Sequence, residues 1–252
     1  MAKAISFSLW KEIPVLARMM TVDELGNIYV VRSDNGIVRY NEKGDSTGFF
    51  QSIQNGNVAN IDATNPLRIL VYYPDYAKIV LLDRMLSLKT ELNLRQLNIA
   101  SNAVVASSAD GNIWIYDQFN AHLRKVDEQM NEVSVSNDLR QEAHVVPFPS
   151  FMIERDWKVF LCDTTNGIFT FDRYGNYIHT LSIFQVHQLQ VFGSVLVFRQ
   201  KDSLLSWDLK RVVADTMPLP FSESPILSAA IVRTLLYVLY ADRLRLFQIS
   251  DQ

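Results

Sequence analysis

Ile168-Phe169-Thr170-Phe171-Asp172 reads as an apolar strand that ends on an acid, and the same phrase returns along the whole chain. It appears as Ile37-Val38-Arg39-Tyr40-Asn41, Ile79-Val80-Leu81-Leu82-Asp83, Leu123-Arg124-Lys125-Val126-Asp127 and Leu204-Leu205-Ser206-Trp207-Asp208. A last copy, Leu244-Arg245-Leu246-Phe247-Gln248, closes on glutamine. The final positions are 41, 83, 127, 172, 208 and 248, so the steps are 42, 44, 45, 36 and 40 residues. Six such units fill the 252 residues, and a fixed period of this size marks a repeat architecture.

A second strand precedes each copy, as in Ile69-Leu70-Val71-Tyr72-Tyr73 and Ile113-Trp114-Ile115-Tyr116. These runs are β-branched or aromatic and almost unbroken in hydrophobicity, which predicts burial on both faces. Asp23-Glu24-Leu25-Gly26-Asn27 and Asp110-Gly111-Asn112 supply hairpin turns ahead of two of them. Weaker strands are expected after most copies, at 48–53, 90–94, 131–136, 177–183 and 212–217. Four strands per unit is the arithmetic of a β-propeller blade. A helical solenoid fails because no unit holds a sustained apolar stripe at 3,4 spacing. The expected fold is therefore all-β: one six-bladed propeller over 1–252. Its sixth copy runs out before a fourth strand. The alternating segment Ile5-Ser6-Phe7-Ser8-Leu9-Trp10 is expected to supply that strand, with residues 5–13 closing the ring.

Composition narrows the function classes. Lys and Arg number 24 against 27 Asp and Glu, spread along the chain, which gives no electrostatic footprint for nucleic acid. No apolar run reaches the length of a transmembrane helix. The first residues lack the apolar core of an export signal, so a cytoplasmic protein and an exported one whose signal lies outside this sequence both stay open. The one cysteine, Cys162, excludes an intrachain disulfide framework.

The run Asp-Glu-Leu-Gly-Asn-Ile-Tyr-Val-Val at 23–31 resembles the blade opening of NHL-type propellers, as does 110–117. Residues 61–73, continuing through 79–83, resemble a segment of uncharacterised six-bladed propellers from Bacteroidota. The resemblance implies a cell-envelope protein, periplasmic or associated with the outer membrane. It brings no catalytic residue.

Candidate sites follow from the repeat. Loops between second and third strands carry Asp34, Asp75, Asp117, Asp163, Asp202 and Asp242. Such residues cap tight turns, and a ring this wide cannot bring its carboxylates to one ion. His122, His144, His179 and His187 show no metal-ligand spacing, and neither a nucleophile elbow nor a phosphate loop is present. No cofactor or metal is expected. The loop-borne aromatics Tyr76, Phe119 and Phe148, with Asp75 and Asp117 beside them, are the expected contacts to a protein partner. The reading is a non-enzymatic interaction module, an accessory subunit of a bacterial envelope assembly. The alternatives are small-ligand or glycan binding at the channel mouth, or a lactonase- or lyase-type enzyme there. Asp62 and Glu154 are the acids near inner strands that an enzyme could use.

Overall fold

The computed structural model describes residues 5–99 and 103–251. The chain enters through β1 (Ile5–Pro14). Blade one follows as β2 (Ala17–Val22), β3 (Ile28–Arg32), β4 (Ile37–Tyr40) and β5 (Ser46–Phe50). Blade two holds β6 (Asn60–Asp62), β7 (Ile69–Tyr73), β8 (Lys78–Leu82) and β9 (Leu88–Asn93). Blade three holds β10 (Ala103–Ser107), β11 (Ile113–Asp117), β12 (His122–Val126) and β13 (Glu132–Val135). Blade four holds β14 (Phe151–Arg155), β15 (Lys158–Asp163), β16 (Gly167–Asp172) and β17 (Tyr177–Leu181). Blade five holds β18 (Leu189–Phe192), β19 (Val195–Gln200), β20 (Ser203–Asp208) and β21 (Val213–Pro218). Blade six is β22 (Ile226–Val232), β23 (Leu235–Tyr240) and β24 (Arg243–Asp251), and β1 completes it. Every blade is a four-stranded antiparallel sheet, so the chain is a six-bladed β-propeller.

The unbroken hydrophobicity of the second strands has a simple cause. Each lies between two neighbouring blades and sends alternate side chains to each. Ile69, Val71 and Tyr73 of β7 pack with Tyr29 and Val31 of blade one. Leu70 and Tyr72 of the same strand pack with Val105, Ile113 and Ile115 of blade three. Both faces of β7 are therefore core, and all five residues are buried. Burying each such aliphatic side chain contributes about 1.5–3 kcal/mol.

The acid that ends the repeated phrase has an equally local cause. It caps the turn from the third to the fourth strand. Asp83 Oδ1 accepts from the backbone amides of Met85 and Ser87, each at 2.8 Å. Asp127 does the same for Gln129 and Asn131 at 2.9 and 2.8 Å, and Asp172 for Tyr174 and Asn176 at 2.8 and 2.9 Å. Asn41 serves Lys43 and Asp45 at 3.0 and 2.9 Å. Blade six takes its fourth strand from the other end of the chain and has no such turn. The sixth copy accordingly needs no cap, and Gln248 sits inside β24.

Strand β1 pairs along β24 from Phe7 opposite Ile249 to Ile13 opposite Leu244. A bulge between Leu9 and Lys11 leaves Trp10 63% exposed. The Phe7 and Phe247 rings meet edge to face at 6.4 Å between centroids. Glu12 reaches Arg245 at 2.6 Å and Arg243 at 3.6 Å. Some fourth strands end earlier than the sequence suggests, β5 at Phe50 and β17 at Leu181 among them, whereas β9 and β21 are as long as expected or longer. Beyond β5, Ile53 is 92% exposed, whereas Ile183, beyond β17, turns in and is buried.

The turn chemistry predicts acid sensitivity. Hydrogen bonds from Ser87 and Met85 hold the Asp83 carboxyl below the usual carboxylate range, and the Asn131 side chain and amide do so for Asp127. Burial acts against the Asp110 carboxylate, but Lys125, Ser108 and Asn112 outweigh it and hold its pKa at about 2. A carboxylate with a depressed folded pKa stabilises the fold above its unfolded value, and the contribution is lost as pH falls through the folded one. Urea unfolding midpoints are therefore expected to drop as pH falls from about 4 to about 2. A constant midpoint across that window would refute the assignment.

Candidate functional site

Antiparallel alternation puts two kinds of connection on one face of the disc. These are the turns between second and third strands and the links from each blade to the next. Hydrogen bonds tie them together, two of them to loop acids. The Asn57 amide, on the link into blade two, donates to Asp75 Oδ2 at 2.8 Å. The Phe148 amide, on the link into blade four, donates to Asp163 Oδ2 at 2.7 Å.

The expected contact residues lie on this face but differ in availability. Phe119 is 91% exposed at the tip of the β11–β12 turn, and Phe148 is 69% exposed. Tyr76 is about half exposed at the end of a 3-10 turn, Pro74–Tyr76. The run from Val145 to Phe151 alternates as a link over a core should. Pro147 and Pro149 are buried, while Val146 and Phe148 point out. Asp75 is exposed and orders the neighbouring link through Asn57. Gly56, at φ +77°, lets that link pass, since a Cβ there would lie 2.4 Å from Asp75 Oδ2.

Asp117 is placed differently. It is 3% exposed and its oxygens are committed to Arg124 at 3.0 Å and to Asn120 Nδ2 at 2.7 Å. It holds the turn that presents Phe119 and has no free edge for a partner. Asp34, Asp163 and Asp242 likewise serve their own loops, through Gly36, through Thr165 and Asn166, and through Arg243 respectively. The turn-capping account of the loop acids therefore applies at most blades.

Sequence reasoning missed several neighbours on the same face. Ile53, Leu16, Phe184 and Phe221 are 92%, 67%, 48% and 90% exposed, each on a link between blades. Leu16 reads as part of an inner strand, yet β2 begins one residue later. The available signal was position: an apolar residue just outside a strand, where no core remains to receive it.

The channel acids serve the blades. Asp62, in β6, accepts from the Ser107 amide of β10 at 2.6 Å and from Thr64 at 2.8 Å. Glu154, in β14, accepts from Ser108 Oγ at 2.6 Å and from Trp114 Nε1. Lys125 Nζ lies 4.6 Å from the Trp114 ring centroid and 2.6 Å from Asp110. A cation on the ring face and a carboxylate on the N–H edge match the quadrupole of the indole. Among the described residues no group of three or more His, Cys, Asp or Glu could hold a metal ion. Cys162 is fully buried, and burial pushes its thiol pKa up, away from reactivity. Among the described histidines, His187 lines the channel mouth.

No protein-family model and no curated protein matches the chain. Solved structures match along its whole length. Virginiamycin B lyase from Staphylococcus aureus aligns over 96% of this chain and 99% of its own, at TM-score 0.70 and 11% identity. A chain of the mitotic checkpoint complex aligns over 98% and 94%, at 0.71 and 8%. BamB from Moraxella catarrhalis aligns over 96% and 98%, at 0.56 and 8%. At such identities the likeness concerns the propeller fold. That fold is found in a lyase and in a component of a multiprotein complex alike, so it is the class of this protein and carries no single activity.

Proposed function

We propose that the chain is a non-enzymatic protein-interaction module that docks a partner on its loop face. One observation carries the reading: Leu16, Ile53, Tyr76, Phe119, Phe148, Phe184 and Phe221 project from connections all around that face. Rigid loops with exposed aromatics make interface anchors at little entropic cost. The opposite face also exposes apolar side chains, Leu25, Leu67, Met85 and Val212 among them, but its turn aromatics Trp157 and Tyr174 already carry the Arg173 guanidinium at 4.3 and 5.3 Å. An enzyme of the lactonase or lyase type would need convergent, free carboxylates, and Asp62 and Glu154 are engaged between blades. The resemblance to NHL-type propellers of Bacteroidota supports a place in the cell envelope, with a periplasmic or outer-membrane assembly as partner. Among the described residues no helix is long and apolar enough to cross a membrane.

The test is affinity purification from the native membrane fraction, followed by alanine substitution. A stoichiometric protein partner is expected. Phe119→Ala and Phe148→Ala are expected to weaken it by about 2 kcal/mol each, roughly thirtyfold, with thermal stability unchanged because both rings are exposed. Tyr76→Ala and Phe221→Ala extend the map. Purification without a partner overturns the module reading, and normal binding by all four variants overturns the choice of face.

A further inference from the structure

We infer that the channel mouth at the centre of the loop face is a binding site for a small organic anion bearing a carboxylate or phosphate. The cavity there measures about 400 Å³, within the range of ligand sites, and two arginines, Arg18 and Arg199, line it together with His187. No Asp or Glu is among its lining residues. Each guanidinium is held by neutral oxygens. Arg18 donates to Asn35 Oδ1 at 2.5 Å. Arg199 donates to the carbonyls of Lys201 at 2.6 Å and Leu227 at 3.2 Å. These bonds fix orientation without neutralising charge, and neither arginine forms an ion pair among the described residues. Asp202 acts on Arg199 only at longer range. Arg124, Arg243 and Arg245, by contrast, all sit against carboxylates.

Both channel arginines are partly buried, and desolvation pushes the pKa of each down. Two partly dehydrated cations without a contact ion pair cost free energy that a bound anion would recover. A guanidinium fork suits the paired oxygens of a carboxylate or phosphate. Ser228 Oγ donates to Gln188 Oε1 at 2.7 Å, which leaves the Gln188 amide nitrogen as a further donor at the wall. Met20, Ile61 and Phe151 supply an apolar side for the organic part of the ligand. The inference goes beyond the docking reading and uses different residues, so either can fail alone.

The test is thermal denaturation with citrate and with inorganic phosphate, each against sodium chloride at equal ionic strength, and with glucose as a neutral probe. An anion at about a hundredfold excess over its Kd is expected to raise the Tm by ~5 °C, with no response to glucose. The variant carrying both Arg18→Gln and Arg199→Gln is expected to lose the shift. Equal melting in citrate, phosphate and chloride overturns the inference, as does a shift that survives in the variant. If the variant does not fold, phenylglyoxal labelling of the wild-type protein decides. Citrate or phosphate should protect Arg18 and Arg199 but not Arg211, whose side chain is 83% exposed. Equal labelling overturns the site. Protection by a short glutamate peptide alone would assign the mouth to a protein partner and overturn the small-ligand reading.

Discussion

Deleting residues 1–13 is expected to abolish the cooperative melt, or to lower the Tm by roughly 10 °C or more with aggregation on heating. The deletion removes an entire outer strand and uncovers the backbone of β24 along its length. It also removes Ile13, which is 7% exposed, the edge-to-face partner of Phe247, and the acid between Arg243 and Arg245. Each fourth strand elsewhere is tethered by a capped turn, but no turn joins β1 to β24, and only non-covalent contacts hold it in blade six. A scanning calorimetry trace of the shortened protein that overlays the full chain would show that the ring does not need this strand.

Glu154→Ala is expected to cost about 2–5 kcal/mol, from two buried donors left unsatisfied at about 1–3 kcal/mol each, a large share of the 5–15 kcal/mol typical of a folded domain. The carboxylate is 3% exposed and joins blade four to blade three through Ser108 and Trp114. Alanine leaves a hydroxyl and an indole N–H buried without an acceptor, and opens a void beside Trp114. Glu154→Gln keeps one acceptor oxygen and is expected to recover part of the loss. Urea titration of the two variants separates the effects. Equal midpoints for wild type and Glu154→Ala would mean that water or a neighbour replaces the carboxylate without cost.

Much of the fold was legible because each blade repeats the same local physics. Asp83, Asp127 and Asp172 recur since every third-to-fourth turn needs a cap, and the departure at Gln248 marks the blade that lacks one. The outer strands were less legible. Ile53 and Ile183 occupy similar places in the pattern, yet one is outside and the other inside, because only the neighbouring blade decides whether a pocket exists to receive the side chain. The exposed aromatics of the loop face were legible in part. Phe119 lies on a turn and Phe148 on a link between blades, where an aromatic finds no core. Asp117 reads like Asp75, but Arg124 and Asn120 draw it under the surface. Arg18 and Arg199 were not seen together at all. They stand far apart in sequence, and only ring closure brings them to one cavity. The one local sign was a lone cation within an otherwise apolar strand.

The seam of the ring also sets a schedule for synthesis. Ser6 and its partner Ser250 are separated by 244 residues. At about 5–20 residues per second, the first strand leaves the ribosome roughly 12–50 s before its mate exists. Throughout that interval the strand lacks its native partner, and its edge is open to any chain that passes. Lys11, Glu12 and Pro14 lie within it. Charges and a proline on an unpaired strand discourage foreign pairing, so they guard the segment during the delay. Those three positions therefore act on the nascent polypeptide as well, before the disc exists.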